Sequence, residues 1–155
     1  MKQNKNNHIV GHQEGYEWCN CPKCGEKISL IKREKGNRKS TILVVDDEIG
    51  IRNLIEAAFD PEEYEVLTSS SAEEALGVIK THRPDLVLLD IRLPGMNGIE
   101  ALKEIKKIDE TIVVIMITAF GDEKDAFRCM RLGAAAYVNK PFDVNYITML
   151  VQNYL

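Results

Sequence analysis

Acidic residues directly follow two apolar runs of this sequence. Asp46 and Asp47 come after the run 41–45, and Asp90 comes after the run 85–89. Three carboxylates brought to one place repel each other, so a bound cation is expected to hold them together. Oxygen ligands without a neighbouring cysteine or histidine favour a hard ion, Mg²⁺ or Mn²⁺.

A hydroxyl and an ammonium group stand at the ends of two further apolar segments. Thr118 ends the run 111–118, and Lys140 follows the segment 136–139. A carboxylate nucleophile, a cation, a hydroxyl donor and a positive side chain are the groups that phosphoryl transfer requires. Each residue alone is ordinary, because acids are common in turns and lysines are common on surfaces. The prediction therefore depends on their meeting at one place.

Alternating strands and helices would bring these residues together. The apolar runs predict five strands, at 41–45, 64–68, 85–89, 111–118 and 136–139, with five amphipathic helices after them. Such alternation predicts an α/β fold with parallel strands and helices on both faces. The expected form is the flavodoxin-like, doubly wound sheet of order 2-1-3-4-5, whose binding crevice lies beyond the carboxyl ends of its strands.

Helical spacing and capping residues place the predicted helices. Ser71 with Glu74 forms a capping box, and Asp143 is expected to cap the last helix. The residues expected to face the core are Ile51, Leu54, Ile55 and Ala58 in the first helix, and Ala126, Phe127 and Met130 in the fourth. Cys129 has no second metal ligand near it in sequence, so it is interpreted as a half-buried structural thiol.

Charge divides the chain into two different parts. Residues 1–40 hold nine Lys or Arg and four Asp or Glu, a net +5, whereas residues 41–155 hold eleven and twenty, a net −9. We expect an N-terminal extension at 1–31, a charged linker at 32–39 and one domain at 40–155. Without an apolar signal segment or membrane span, the chain is expected to be cytoplasmic, and direct nucleic-acid binding is not expected.

Three clustered cysteines in the N-terminal extension suggest a second metal. Cys21 and Cys24 form a Cys-Pro-Lys-Cys-Gly segment that resembles one knuckle of a zinc ribbon. Zinc needs four ligands, and the remaining candidates are Cys19, His8 and His12. The alternative is a tail with free thiols.

Four segments in order resemble the receiver domains of two-component response regulators. They are ILVVDDE, LVLLDIRLPGMNGIE, VIMITAFGD and GAAAYVNKPFD, and the resemblance covers about residue 40 to residue 155. It implies that Asp90 is the phosphoacceptor and that Lys140 pairs with the phosphoryl group. It further implies a Mg²⁺ site formed by Asp46, Asp47, Asp90 and the main-chain carbonyl of Arg92, with Asp47 as a direct ligand and Asp46 acting through water.

The same resemblance implies a conformational switch. Thr118 would move to bond a phosphoryl oxygen, and the aromatic Tyr137 would turn inward with it. The Lys140–Pro141 peptide bond is at a position often cis in this family. Arg92 is larger and more charged than many members have two residues past the acceptor, and it could alter the lifetime of the phosphorylated state.

The expected function is that of a phosphoacceptor switch in a two-component phosphorelay. Its expected partners are a sensor histidine kinase or phosphotransfer protein and an unknown downstream protein. Because the sequence shows no output domain, we expect the signal to pass to that protein by direct contact. The chain is not expected to be an enzyme beyond its own phosphorylation and dephosphorylation. One alternative is a binding module in which the zinc segment docks a partner. Another is an aspartyl phosphohydrolase, but Arg92 stands where that reaction needs a second acid.

Overall fold

A computed structural model describes residues 11–13, 16–20, 27–30, 38–119 and 122–155, the first three ranges as backbone only. The chain divides into two compact units, Met1–Arg38 and Lys39–Leu155. Among the described residues, no helix is both long and apolar enough to cross a membrane.

The first unit contains three short antiparallel strands. They are β1 (Gly11–Gln13), β2 (Tyr16–Asn20) and β3 (Lys27–Leu30), in the order β1-β2-β3. None of the five strands that the apolar runs predict lies in this unit, so these three strands are an addition to the sequence-based expectation. They are three to five residues long, too short to show the alternation by which a strand is recognised.

The second unit is a five-stranded sheet with five helices. Its strands are β4 (Ser40–Val45), β5 (Tyr64–Ser69), β6 (Leu86–Asp90), β7 (Val113–Thr118) and β8 (Ala136–Asn139). Its helices are α1 (Ile49–Ala57), α2 (Ala72–His82), α3 (Gly98–Ile108), α4 (Glu123–Arg131) and α5 (Val144–Tyr154). All strand pairs are parallel, in the order β5-β4-β6-β7-β8. Counted within this unit the order is 2-1-3-4-5, so the predicted flavodoxin-like fold is confirmed.

The core has one apolar layer on each face of this sheet. Strands β4 and β6 are buried along their whole length, as central parallel strands must be. On one face α2, α3 and α4 contribute Ile79, Leu102 and Cys129. On the other, α1 and α5 contribute Ile55 and Val151. The sheet is therefore held between two helical layers, and its strand ends are fixed in place.

Side-chain caps set where the helices begin. The Ser71 hydroxyl accepts a hydrogen bond from the Glu74 amide, and the Asp143 carboxylate accepts one from Asn145. These two predicted caps are confirmed. The Glu74 carboxylate differs slightly from the expected box, because it accepts from the amide of Ser70 rather than of Ser71.

Three residues expected in the core lie at the surface. Phe127 is 65% exposed, Met130 is 48% exposed and Leu54 is 47% exposed. In α4 the fully buried residue is Cys129, so the helix turns a different side to the sheet than its larger apolar residues suggested. Apolar spacing identifies an amphipathic helix, but only packing decides which side of the helix is covered.

Candidate functional site

The sheet edge at the carboxyl ends of the strands collects the acidic residues. β4 and β6 are hydrogen-bonded neighbours in parallel register, with Val45 opposite Leu89. The next residue along each strand is an aspartate, Asp46 or Asp90, and both side chains are buried. Two carboxylates therefore enter the same small space because the chain register places them there.

Lys140 joins these carboxylates. Its Nζ lies 2.6 Å from Asp46 Oδ2 and 3.0 Å from Asp90 Oδ2, with Glu48 Oε1 at 3.4 Å. The lysine side chain is only 9% exposed, and those of Asp46 and Asp90 are 4% and 6% exposed. The Lys140 amide also donates to the carbonyl of Thr118 at 2.7 Å, which ties the lysine to the end of β7.

The electrostatics show one cation shared by several acids. Burial raises the pKa of Asp90 above its ordinary value, and its hydrogen bonds from Lys140 and the Arg92 amide only partly oppose this. Burial by itself would lower the pKa of Lys140, but the hydrogen bonds to Asp46 and Asp90 outweigh it and raise that pKa. The Lys140 ammonium group therefore stays charged. The carboxylates around it outnumber this single positive charge.

Asp46, Asp47 and Asp90 form a group that can hold a metal ion. One carboxylate oxygen from each lies within 4.8 Å of the other two. The set is made of oxygen donors and leaves Asp47 open to solvent, which fits a hard divalent ion that keeps some of its water. The residues present thus fit Mg²⁺, and the Arg92 amide, 3.0 Å from Asp90 Oδ1, shows that the neighbouring loop folds over the same site.

Both oxygens of Asp46 are already engaged. Oδ1 accepts from the Glu48 amide at 2.9 Å and Oδ2 accepts from Lys140. Asp47, by contrast, is exposed at the mouth of the site. This difference suits the sequence expectation that Asp47 is the direct ligand and that Asp46 acts through water, roles that stay predictions.

Thr118 and Tyr137 lie in β7 and β8, the two strands next to each other on the side of the sheet that leads to Lys140. Thr118 ends β7 and is fully buried. Tyr137 lies in β8 and packs against the apolar layer that contains Cys129. Its hydroxyl is buried and, among the residues that the structure describes, has no hydrogen-bond partner. The Lys140–Pro141 peptide bond is cis, as the resemblance implied.

Sequence reasoning missed three residues that support the site. Glu48 directly follows Asp47 in the sequence and has no role in the predicted site, yet it contacts Lys140. Arg52 Nη1 donates to the Asp46 carbonyl at 2.7 Å. Glu73 Oε1 accepts from the Met96 amide at 3.0 Å, which connects α2 to the loop after Asp90. The position of Arg52, one helical turn after the acids, is a local feature from which its contact could have been predicted. The Glu73 contact joins residues 23 apart, and no local sequence feature predicts it.

The predicted zinc ligands are outside what the structure can describe. His8, Cys21 and Cys24 lie outside the described residues. His12 and Cys19 belong to β1 and β2, which are described by their backbone alone. Zinc binding is therefore still a prediction from sequence.

Comparison with known proteins agrees with this geometry. The family profile described as "Response regulator receiver domain" matches residues 42–152. Sporulation initiation phosphotransferase F of Bacillus subtilis is 45% identical over 114 residues, which are 74% of this chain and 92% of that protein. A CheY-like receiver domain structure from Methanospirillum hungatei is similar with a TM-score of 0.72 and 29% identity, over 75% of this chain and 93% of that one.

Other relatives are much longer than the matched region. The regulatory protein AtoC of Escherichia coli is 39% identical over 114 residues, but the match spans only 25% of its length. The shared part is thus the unit that carries the acidic site. The chain belongs to the response regulator receiver domain family, whose role is that of a phosphoacceptor in two-component signalling.

Proposed function

We propose that Asp90 is the residue that accepts the phosphoryl group, from a phosphohistidine of a partner kinase or phosphotransfer protein. The observation that carries this proposal is the buried contact of Asp90 Oδ2 with Lys140, beside the group of acids that can hold a metal ion. A nucleophile, a fixed positive charge and oxygen ligands thus stand within one small volume.

Each residue has a definite part in the proposed reaction. Asp90 attacks phosphorus in line, and a new Asp90 oxygen–phosphorus bond replaces the bond to the donor. Lys140 holds a transferring oxygen, for which it gives up part of its contact with Asp46. Mg²⁺ held by Asp46, Asp47, Asp90 and the Arg92 carbonyl would supply further positive charge to the phosphoryl oxygens. The Arg92 amide keeps the Asp90 carboxylate oriented.

The proposed response runs through Thr118 and Tyr137. A phosphoryl group on Asp90 adds negative charge and acceptor oxygens at the sheet edge, and the Thr118 hydroxyl is proposed to bond one of them. The inward Tyr137 hydroxyl has no described partner, so its buried position costs free energy that other contacts must offset. Such an arrangement supports an equilibrium between two conformations of similar free energy, one of them with Tyr137 inward. Phosphorylation of Asp90 would shift this equilibrium.

The proposed output is a contact with another protein. On this view the chain catalyses only its own phosphorylation and dephosphorylation and is not otherwise an enzyme. The net charge of −9 over residues 41–155 argues against direct binding of nucleic acid by this unit. The matched region is a quarter of the regulatory protein AtoC, so the activity of that protein's remaining parts is not carried over to this unit.

A separate proposal concerns the N-terminal extension. From the sequence alone, Cys21 and Cys24 are proposed to bind zinc, with Cys19, His8 and His12 as the remaining ligand candidates. The Cys-Pro-Lys-Cys-Gly segment supports this, because its short loop lets two thiolates reach one ion.

Replacing the acceptor tests the function directly. Asp90→Ala is expected to abolish labelling by acetyl phosphate and Mg²⁺, because it removes the carboxylate that β6 presents to Lys140. Incorporation is measured by intact mass, and wild-type protein with the ion chelated should also stay unlabelled.

The matched control is Asp60→Asn. Asp60 is an exposed acid whose Oδ1 accepts from the Glu62 amide in the turn before β5. Asparagine keeps that acceptor, so the variant should label like wild type. Stoichiometric labelling of Asp90→Ala would refute the assignment of the acceptor.

A further inference from the structure

We propose that a cleft beside the acidic site binds the leaving group of small acyl phosphates, with Arg128 holding the departing carboxylate. The inference deepens the proposed function and rests on it. The cleft has a volume of about 670 Å³ and lies between the loop after β6 and helix α4, with Asp47 among its lining residues. It thus adjoins the site at which phosphorus would be attacked.

The walls of the cleft combine apolar residues with two arginines. Ile91, Leu93 and Pro94 supply apolar atoms from the loop after β6. Arg92 enters from the same loop, and Arg128 enters from α4 on the other side. A short alkyl chain with one compact negative group suits such a lining, because the chain meets apolar atoms and the charge meets a guanidinium.

The backbone amides near the cleft are already in use. Asn97 Oδ1 accepts from the amides of Ile99 and Glu100 at 3.0 Å each, so the start of α3 offers no amide there to an anion. The lining also holds Asp47 and Asp125, which balance the two arginines in formal charge. The cleft therefore has no general excess of positive charge, and an anion must be placed at a guanidinium to be bound.

The charge on the leaving group changes during the transfer. Asp90 forms a bond to phosphorus while the bond from phosphorus to the acyl oxygen breaks. The electron pair departs with that oxygen, and the acyl group is released as a carboxylate without any need for a proton. Negative charge therefore grows on the leaving oxygen, and a guanidinium placed beside it stabilises the transition state more than the ground state. Phosphoramidate releases ammonia instead, so no such charge develops.

Comparison of these two donors isolates the leaving group. In the full-length protein, Arg128→Gln is expected to lower the rate constant for labelling by acetyl phosphate about tenfold, the effect of one lost charge-assisted hydrogen bond. Labelling by phosphoramidate should change less than twofold. Rates come from intact-mass time courses at equal Mg²⁺. Arg131→Gln, also on α4, removes a guanidinium that lies over the Phe127 ring and should leave both rates unchanged.

A second measurement uses acetate, the leaving group itself, as a competitor. Acetate should compete with labelling of the wild-type protein by acetyl phosphate, and Arg128→Gln should weaken that competition about tenfold. Equal loss of rate with both donors, or no loss with either, would overturn the leaving-group site while leaving Asp90 as acceptor. Failure of both donors to label wild-type protein would instead overturn the proposed function and this site with it.

Discussion

At the scale of single residues, the site is defined by one ammonium among several carboxylates. Because the pKa of Asp90 is raised in the folded protein, the folded state binds this proton more tightly than the unfolded chain does. As pH rises through the unfolded pKa of about 4 toward the folded one, ionisation of Asp90 therefore lowers the free energy of unfolding. The charged form that the reaction needs is thus kept at some cost in stability, and Lys140 limits that cost.

Removal of the Lys140 charge should reveal how much the buried carboxylates destabilise the folded protein. Lys140→Met in the metal-free protein is expected to lower the free energy of unfolding by about 3 kcal/mol, because Asp46 and Asp90 lose their buried partner. Millimolar Mg²⁺ should restore part of the loss, since an ion bound to the folded state alone stabilises it. Urea denaturation with and without the ion measures both effects.

Another lysine on the same domain provides the control for this change. Lys107 forms an ion pair with Glu104 at 2.7 Å, but its side chain is 70% exposed. Lys107→Met should therefore cost less than about 0.5 kcal/mol and should not respond to Mg²⁺. If Lys140→Met were as stable as wild type without metal, the view of Lys140 as the central counter-ion would be wrong.

At the scale of elements, the site depends on how closely α3 approaches the end of β6. Gly98 begins α3, and its amide donates to the Ile91 carbonyl at 2.8 Å. A Cβ at this position would lie 2.1 Å from the carbonyl oxygen of Asp90 and 2.7 Å from Ile91 Cα. Both neighbours are backbone of the site itself, so they cannot move aside without shifting Asp90.

A pair of glycine substitutions tests this contact. Gly98→Ala is expected to lower the free energy of unfolding by about 3 kcal/mol, because the methyl group overlaps fixed backbone atoms. At Gly77, within α2, an added Cβ would have no atom within 4 Å. Gly77→Ala should therefore raise the free energy of unfolding by about 0.5–1 kcal/mol, because alanine favours the helix. Chemical denaturation measures both. Equal effects of the two substitutions would contradict the close approach of α3 to β6.

At the scale of the whole molecule, all receiver site residues lie in one of the two compact units. Asp46, Asp90, Thr118 and Lys140 belong to Lys39–Leu155, and every cysteine and histidine of the predicted zinc site belongs to Met1–Arg38. The match to the sporulation phosphotransferase covers 92% of that protein and 74% of this chain, and the family profile begins only at residue 42. Phosphorylation and zinc binding should therefore be separable.

A fragment of residues 39–155 tests this separation. It is expected to fold and to be labelled by acetyl phosphate to the same stoichiometry as the full chain, because its core and site are internal to it. Zinc measured by elemental analysis should accompany only the full-length protein, at about one ion per chain. Zinc-free full-length protein, purified under reducing conditions, would refute the zinc ligands. A fragment that cannot be labelled would show that the extension contributes to the site.

The sequence by itself determined the fold class, the strand order and the identity of the acidic residues. Continuous apolar runs ending in polar residues predict parallel strands, and parallel strands bring Asp46 and Asp90 to one edge whatever their side-chain conformations. Local caps such as Ser71 and Asp143 are also readable, because each bonds an amide two or three residues away.

Only the tertiary structure decided which contacts connect distant parts of the chain. The sequence could not show that Phe127 is exposed while Cys129 is buried, because the larger apolar residues of α4 lie on the side away from Cys129 and predict the opposite orientation of the helix. Nor could it show that Glu73 holds the Met96 amide, or that Arg128 and Arg92 face a common cleft. Residue spacing determines what each element can present, but the packing of elements against one another determines which side chains meet.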